Sequence, residues 1–434
     1  MAYLSKLRIL LYGLNFEPEL TGAGKYSGEL ARWLTTRGHD VQVVTAPPYY
    51  PEWRVGAGFS AARYSIDANP MAPHLSVLRC PIWVPGKVTG VRRLLHLLSF
   101  AFSSAPALLC MAIRKRPSVL MVVVPTMACA PLALIVAGIL RLPIWLHIQD
   151  FEVDAMHAMG ILPGAKFTQK LVLACEAWLL KRFDRVSSIS RKMVDRLLEK
   201  GVASDRVVEF PNWVDVSLIH PMDFGAKNIN PVRELFCVPE GAIVVLYAGN
   251  IGLKQGLEVV VESARRLSDR MDIFFVFVGA GSAMEGLKSS AKDLKQVKWF
   301  PLQPIELLND LLNAADIHVL PQKAGAADLV MPSKLTGMLS SGRVIVGTAE
   351  AETELGLVLE KCGVRVPAED AEALTVAIEQ LSQDECKRLQ LGASGREYAL
   401  AHLSHAVIFR QFESELLRLM DNESGVMPDN SCKK

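Results

Sequence analysis

The residues best suited to chemistry lie in one decapeptide, Tyr247-Ala248-Gly249-Asn250-Ile251-Gly252-Leu253-Lys254-Gln255-Gly256. The apolar run before it reads as a strand and the stretch from about 256 as a helix, so the decapeptide is the turn between them. Such a junction aims backbone N–H groups and the positive end of a helix dipole at one point, which favours an anion. Gly249 and Gly252 allow a ligand close to the backbone, and Lys254 adds a full charge. A nucleotide diphosphate suits that combination. An ordinary strand-to-helix turn with a solvated lysine uses the same residues.

Other patterns are incomplete. Gly22-Ala23-Gly24-Lys25 has Glu19 where a Walker loop has its first glycine, and Tyr26 where it has a hydroxyl residue. Gly279-Ala280-Gly281 lacks the third glycine of a dinucleotide fingerprint and reads as a turn near the nucleotide. His147 ends a strand and serves equally well as a core histidine or a ligand to substrate. Trp145, Trp213 and Trp299 read as core. The chain contains no His-Glu-x-x-His, no Gly-x-Ser-x-Gly and no Asp-x-Asp, and its 8 cysteines form no Cys-x-x-Cys pair. Neither a metal nor a cofactor is expected.

Strand and helix alternate through both halves, which predicts an α/β chain of two doubly wound, Rossmann-like domains facing one cleft. In the first half the expected strands are 7–12, 41–45, 75–79, 119–124, 144–148 and 185–189, with a helix over 25–36. The second half has expected strands at 243–248, 273–278, 297–300, 317–320 and 344–347. Its helices are expected at 256–268, 282–294, 304–314, 333–341 and 370–382. Residues 216–241 read as a linker and 396–420 as one long helix. The domain boundaries that follow are 1–212, 213–395, a helix 396–421 packing back on the first domain, and a polar tail 422–434.

The net charge of +2 hides an asymmetry: residues 1–200 hold 24 Lys and Arg against 13 Asp and Glu. The first half therefore faces something anionic, phosphate or membrane. Its cations are dispersed and lack the aromatic interleaving of a stacking platform, so nucleic acid is not the expected partner. Residues 119–148 are apolar enough to flag as a span, but Pro125, Pro131, Pro143 and Arg141 divide them into strand, helix and strand. Residues 92–116 place an apolar stretch between Arg92-Arg93 and Arg114-Lys115-Arg116. That reads as a helix resting in a membrane interface or as a core helix broken near Pro106. The N-terminus lacks the pattern of a signal peptide, and a reducing cytoplasm is expected.

The decapeptide with Leu257-Glu258 resembles the donor loop of the family 4 retaining glycosyltransferases of GT-B fold. The likeness extends over nearly the whole chain: YGLNFEPELTGAGKYSGELARWL near the start, TAPPYYPEW, FPNWVD at 210–215 and AGAADLVMPSKL at 324–335 are similar to the subgroup building bacterial exopolysaccharides. Colanic acid, with fucose as the transferred sugar, is the implied case. The resemblance implies that Lys254 binds the donor diphosphate and stabilises the leaving nucleotide. It implies that Gly22 and Gly24 form a loop reaching the donor, and that Asp150 touches sugar or acceptor. Asn212 and Asp215 match a Pro-Asn-x-x-Asp element near the hinge.

Two departures stand out. Where many relatives carry an arginine after the loop's first glycine, this chain has Asn250. Where many carry two glutamates eight apart, the second position is Gly337 and the first has no match. Asp328, Ser333 and Lys334 are the nearby polar candidates; Lys334 restores the missing positive charge and Asp328 meets sugar hydroxyls. The expected partners are a GDP- or UDP-linked sugar, a polyprenyl-pyrophosphate-linked glycan acceptor and the anionic inner face of the cytoplasmic membrane, touched peripherally. A sugar-nucleotide 2-epimerase and a non-catalytic nucleotide-sugar-binding partner are the competing readings.

Overall fold

The computed structural model describes residues 6–19, 22–68, 72–87, 90–124, 127–151, 166–222, 230–323 and 332–423. The chain divides into two compact units: Met1–Phe210 joined by Phe409–Lys434, and Pro211–Ile408.

The first unit is built on eight strands: β1 (Arg8–Gly13), β2 (Asp40–Thr45), β3 (Ser65–Ala68), β4 (Leu75–Arg79), β5 (Val119–Val124), β6 (Ile144–Ile148), β7 (Arg185–Ser188) and β8 (Val207–Glu209). Their spatial order is β3-β4-β2-β1-β5-β6-β7-β8. Every neighbouring pair is parallel except β3 with β4. A parallel sheet is covered on both faces, which is why β5, Val-Leu-Met-Val-Val-Val, is buried at every residue. Strand order reverses direction between β1 and β5, and the crevice for a ligand opens at the carboxyl ends beside such a reversal.

The second unit repeats the plan with β9 (Ile243–Ala248), β10 (Ile273–Val278), β11 (Val297–Phe300), β12 (Ile317–Pro321), β13 (Val344–Thr348) and β14 (Val364–Val366). They stand in the order β11-β10-β9-β12-β13-β14, all parallel. Alternate residues feed opposite layers. Val245, Tyr247, Phe275 and Phe277 join one apolar core, while Val244, Leu246, Val276 and Val278 join the other. Here the reversal lies between β9 and β12.

Four expectations change. The helix set at 25–36 begins at Gly22 and runs to Thr36, so Gly24 lies in its first turn and not in a loop. The helix Gly90–Lys115 is continuous through Pro106. The linker over 216–241 contains a helix, Pro231–Phe236, whose first N–H groups at Val232 and Arg233 are capped by the Asn230 side chain. The single helix expected over 396–420 is two. Glu385–Tyr398 passes through a wide turn at Ala399–Leu403, and Ser404 is extended before His405–Glu423 begins. The cause is tertiary: Val214 donates to the Leu403 carbonyl at 2.9 Å and accepts from His405 N–H at 3.1 Å. From Phe409 onward this last helix belongs to the first unit, where Glu413 meets Arg37 at 3.1 Å.

Candidate functional site

In the second unit three loops meet at the carboxyl ends of β10, β9 and β12. After β9 the backbone turns at Gly249, whose φ of 134° is open to glycine and strained for other residues. Gly279, after β10, has φ 156°, and a Cβ there would lie 1.9 Å from the Gly249 carbonyl oxygen. The two loops therefore touch backbone to backbone. Ile251 N–H donates to the Ala280 carbonyl at 2.9 Å and locks them together. The turn Leu253–Gln255 then leads through Gly256, φ 69°, into the helix Glu258–Arg266.

The third loop brings Lys334, the first residue of the helix Lys334–Ser340. Its stem lies across Gly249, where a Cβ would meet Lys334 Cε at 2.4 Å. Its ammonium donates to the Tyr247 hydroxyl and sits 4.3 Å from the centre of that ring. Tyr247, fully buried at the end of β9, donates in turn to the Asn250 carbonyl at 2.6 Å. Burial pushes the Tyr247 phenol up, so it stays protonated. The Lys334 ammonium, by contrast, is pulled down to about 8 by burial. Among the described residues no carboxylate pairs with it. A buried cation without an anion is costly unless something supplies the anion. This corner is built to receive negative charge.

The corresponding corner of the first unit is different. Glu19, buried just after β1, accepts from Tyr49 N–H at 3.0 Å, Tyr50 N–H at 3.1 Å and Asn15 Nδ2 at 2.9 Å. Burial holds its carboxyl above the usual range against those hydrogen bonds. Glu17 pairs with Arg32, and burial raises its carboxyl too. Gly24 and Gly28 face these two carboxylates. A Cβ at Gly24 would lie 2.7 Å from Glu19 Oε2, and one at Gly28 would lie 2.5 Å from Glu17 Oε2.

The expected site residues separate accordingly. Asn250 and Gly252 lie in the loop after β9, with the Asn250 amide beside Gly252 and Gly281. Lys334 is brought to them, and Ser333 is exposed directly before it. Lys254 lies in the turn at Leu253–Gln255, but its side chain is outside the described residues, as is the whole of Asp328. Gly22 is exposed at the start of its helix with φ 61° and no neighbour near its missing Cβ. Gly24 lies in the first turn of that helix and packs against Glu19. Asp150 follows β6 at the carboxyl end of the first sheet, half buried.

His147 is corrected to a core residue. It is 2% exposed, its Nδ1 donates to Ser187 Oγ at 2.9 Å, and its Nε2 accepts from the Gln149 amide at 2.7 Å. Burial takes it down to about 3, so the ring is neutral and already satisfied. The sequence reading gives Tyr247 no role of its own at the site, where the structure makes it the partner of Lys334. The signal for Tyr247 was a hydroxyl ending an otherwise aliphatic strand. Among the described residues no three His, Cys, Asp or Glu side chains converge to hold a metal.

Residues 21–213 match the model of the glycosyl transferase 4-like domain, and residues 242–384 that of the glycosyl transferases group 1. The chain is 42% identical over 419 residues to the "putative colanic acid biosynthesis glycosyl transferase WcaI" of Escherichia coli K12, covering 94% of this chain and 100% of that protein. Among solved structures, sucrose-phosphate synthase of Thermosynechococcus elongatus superposes with a TM-score of 0.73 at 17% identity, over 96% of this chain and 100% of that one. The Anabaena protein HepE, solved with UDP-glucose, superposes with a TM-score of 0.69 at 15% identity, over 95% and 100%. At such identities these two likenesses speak for the fold alone.

Proposed function

The chain belongs to the family 4 glycosyltransferases of GT-B fold, and from that premise we propose what it transfers and how. It moves a sugar, with retention of anomeric configuration, from a nucleotide-diphosphate sugar to a lipid-linked oligosaccharide at the inner face of the membrane. The product is an exopolysaccharide of the colanic acid type. The relative of that name supports the pathway. HepE, solved with UDP-glucose, is consistent with a UDP-sugar donor, and a GDP-sugar such as GDP-fucose follows from the sequence likeness.

One observation carries the reading: the Lys334 ammonium, half buried and with no carboxylate partner among the described residues, held by Tyr247 against the glycine turn after β9. A diphosphate docked there meets this ammonium, the loop's N–H groups and Lys254. As the glycosidic bond breaks, negative charge grows on the β-phosphate, and fixed positive groups stabilise that charge more than the ground state. A leaving phosphate oxygen on the attacked face takes the acceptor's hydroxyl proton, so no protein nucleophile is required. The second ammonium does the work of the arginine that Asn250 replaces.

Release of free nucleotide from UDP- and GDP-sugars is the test, with and without membrane-extracted lipid-linked acceptor. Release that requires the acceptor is the expected result. Conversion of the sugar without acceptor would make the protein an epimerase, and binding without turnover a non-catalytic partner. Lys254→Ala should lower the acceptor-dependent rate by roughly a hundred- to a thousand-fold. A rate near that of the wild type would remove Lys254 from the mechanism.

A further inference from the structure

The first unit exposes an apolar face that its own core does not use. On the helix Gly90–Lys115, one stripe (His96, Phe100, Ser104, Ala107, Leu108 and Ala112) is buried. It is fastened to the sheet. Phe100 stacks on Tyr12 with ring centres 5.8 Å apart, and Tyr12 Oη meets Ser104 Oγ at 2.7 Å. The opposite stripe is equally apolar and faces outward: Val91, Leu94, Leu98, Phe102, Leu109 and Ile113 are all exposed, Phe102 at 76%. Ile135 and Ile139 are likewise exposed on the helix Ala130–Leu140, which packs beside it. The helix is long and apolar enough to cross a membrane, but the attachment of its inner stripe keeps it lying along the sheet.

What surrounds the stripe says what covers it. Arg92 and Arg93 stand exposed at one end and Arg114, Lys115 and Arg116 at the other. Residues 68–149 hold 8 Lys and Arg and no Asp or Glu. Two half-exposed aromatic side chains flank the middle of the helix. Tyr64 donates to the Ser103 carbonyl at 2.6 Å, and Trp83 N–H donates to Ser99 Oγ at 3.0 Å. Apolar residues in the centre, tyrosine and tryptophan at the margin and cations outside them follow the layering of a bilayer surface. A second copy of the chain is the poorer occupant, because pairing would set two carboxylate-free cationic faces against each other.

We infer that the outer face of the helix Gly90–Lys115 docks on an anionic lipid bilayer, with the helix parallel to the membrane plane and Phe102 near its deepest point. This deepens the proposed use of a lipid-linked acceptor and rests on it for its purpose, but the binding itself needs neither donor nor acceptor. The full chain is sedimented with vesicles of phosphatidylcholine alone and of phosphatidylcholine mixed with phosphatidylglycerol. UDP and GDP affinities are measured on the same samples.

Binding to the anionic vesicles and its loss in added salt are expected. Phe102→Glu should lower partitioning roughly tenfold or more. Removing the charges of Arg114, Lys115 and Arg116 by substitution with Gln should lower it by about fivefold per charge. All variants should keep the nucleotide affinity of the wild type. Absence of wild-type binding, or unchanged binding of Phe102→Glu, overturns the inference while leaving the donor site standing. A dimer that Phe102→Glu dissociates, with no vesicle binding, gives the face to a second copy and also overturns it. Loss of nucleotide affinity in the wild type would instead strike the proposed function.

Discussion

The two units share one plan and differ in what they place at its focal point. In each, the first strand, β1 or β9, stands beside the reversal of strand order, and the chain reaches a glycine at its carboxyl end, Gly13 closing β1 and Gly249 following β9, before a turn and a helix. After β1 the turn holds two carboxylates, the half-buried Glu17 and the buried Glu19, already engaged by Arg32 and by the N–H groups of Tyr49 and Tyr50. After β9 it holds an ammonium, Lys334, with a tyrosine hydroxyl and no carboxylate among the described residues. The sheet decides where a ligand can sit; the loop decides its charge. One corner is closed with its own counter-groups, and the other is left open to an anion.

That contrast predicts opposite responses to removing the charge. Lys334→Met should weaken nucleoside diphosphate binding about ten- to a hundred-fold, the range expected when a charge-assisted contact is lost. It should also raise the melting temperature. The lysine falls from 10.5 to about 8 on folding, so below pH 8 the fold carries a charged, buried group that the unfolded chain solvates freely. The cost at pH 7 is on the order of 3 kcal/mol and fades as pH rises from about 8 to 10.5. Glu19→Ala should do the reverse. Leaving the Tyr49 and Tyr50 N–H groups without an acceptor costs about 1–3 kcal/mol, seen as a melting temperature lower by several degrees. Nucleotide affinity should not change. If both substitutions moved stability in the same direction, the contrast would be broken. Tyr247→Phe sharpens it: the ammonium loses its hydroxyl partner but keeps the ring, and donor affinity should fall by about three- to ten-fold with stability nearly unaltered.

Much of this was legible in the sequence, and the failures have physical causes. The central strands β5, β6, β9 and β10 were placed within their observed bounds because continuous apolar runs between turn residues have few other readings. The strands not expected, β3, β8 and β14, all lie at sheet edges, where short and partly exposed segments carry little pattern. The Gly22–Gly24 segment was read as a loop because glycine is a poor helix former. It is the first turn of a helix, and glycine stands at 24 and 28 because Glu19 and Glu17 fill the space where side chains there would stand. The break at Ser404 has no local breaker and follows from pairing with Val214, far back in the chain. At the site, the glycine turn and Lys334 were readable, whereas the tyrosine that holds the lysine is visible only once β9 is folded.

The account stands most directly on the affinity of UDP and GDP measured from pH 6.5 to 9.5, limits set around the value of about 8 for Lys334. A docked diphosphate favours the charged ammonium, so affinity in the wild-type protein should hold at low pH. It should decline as pH rises above about 8, beyond any decline that the Lys334→Met protein shows over the same range. Parallel curves for the two proteins, with equal affinities, would mean that the diphosphate does not lie beside Lys334.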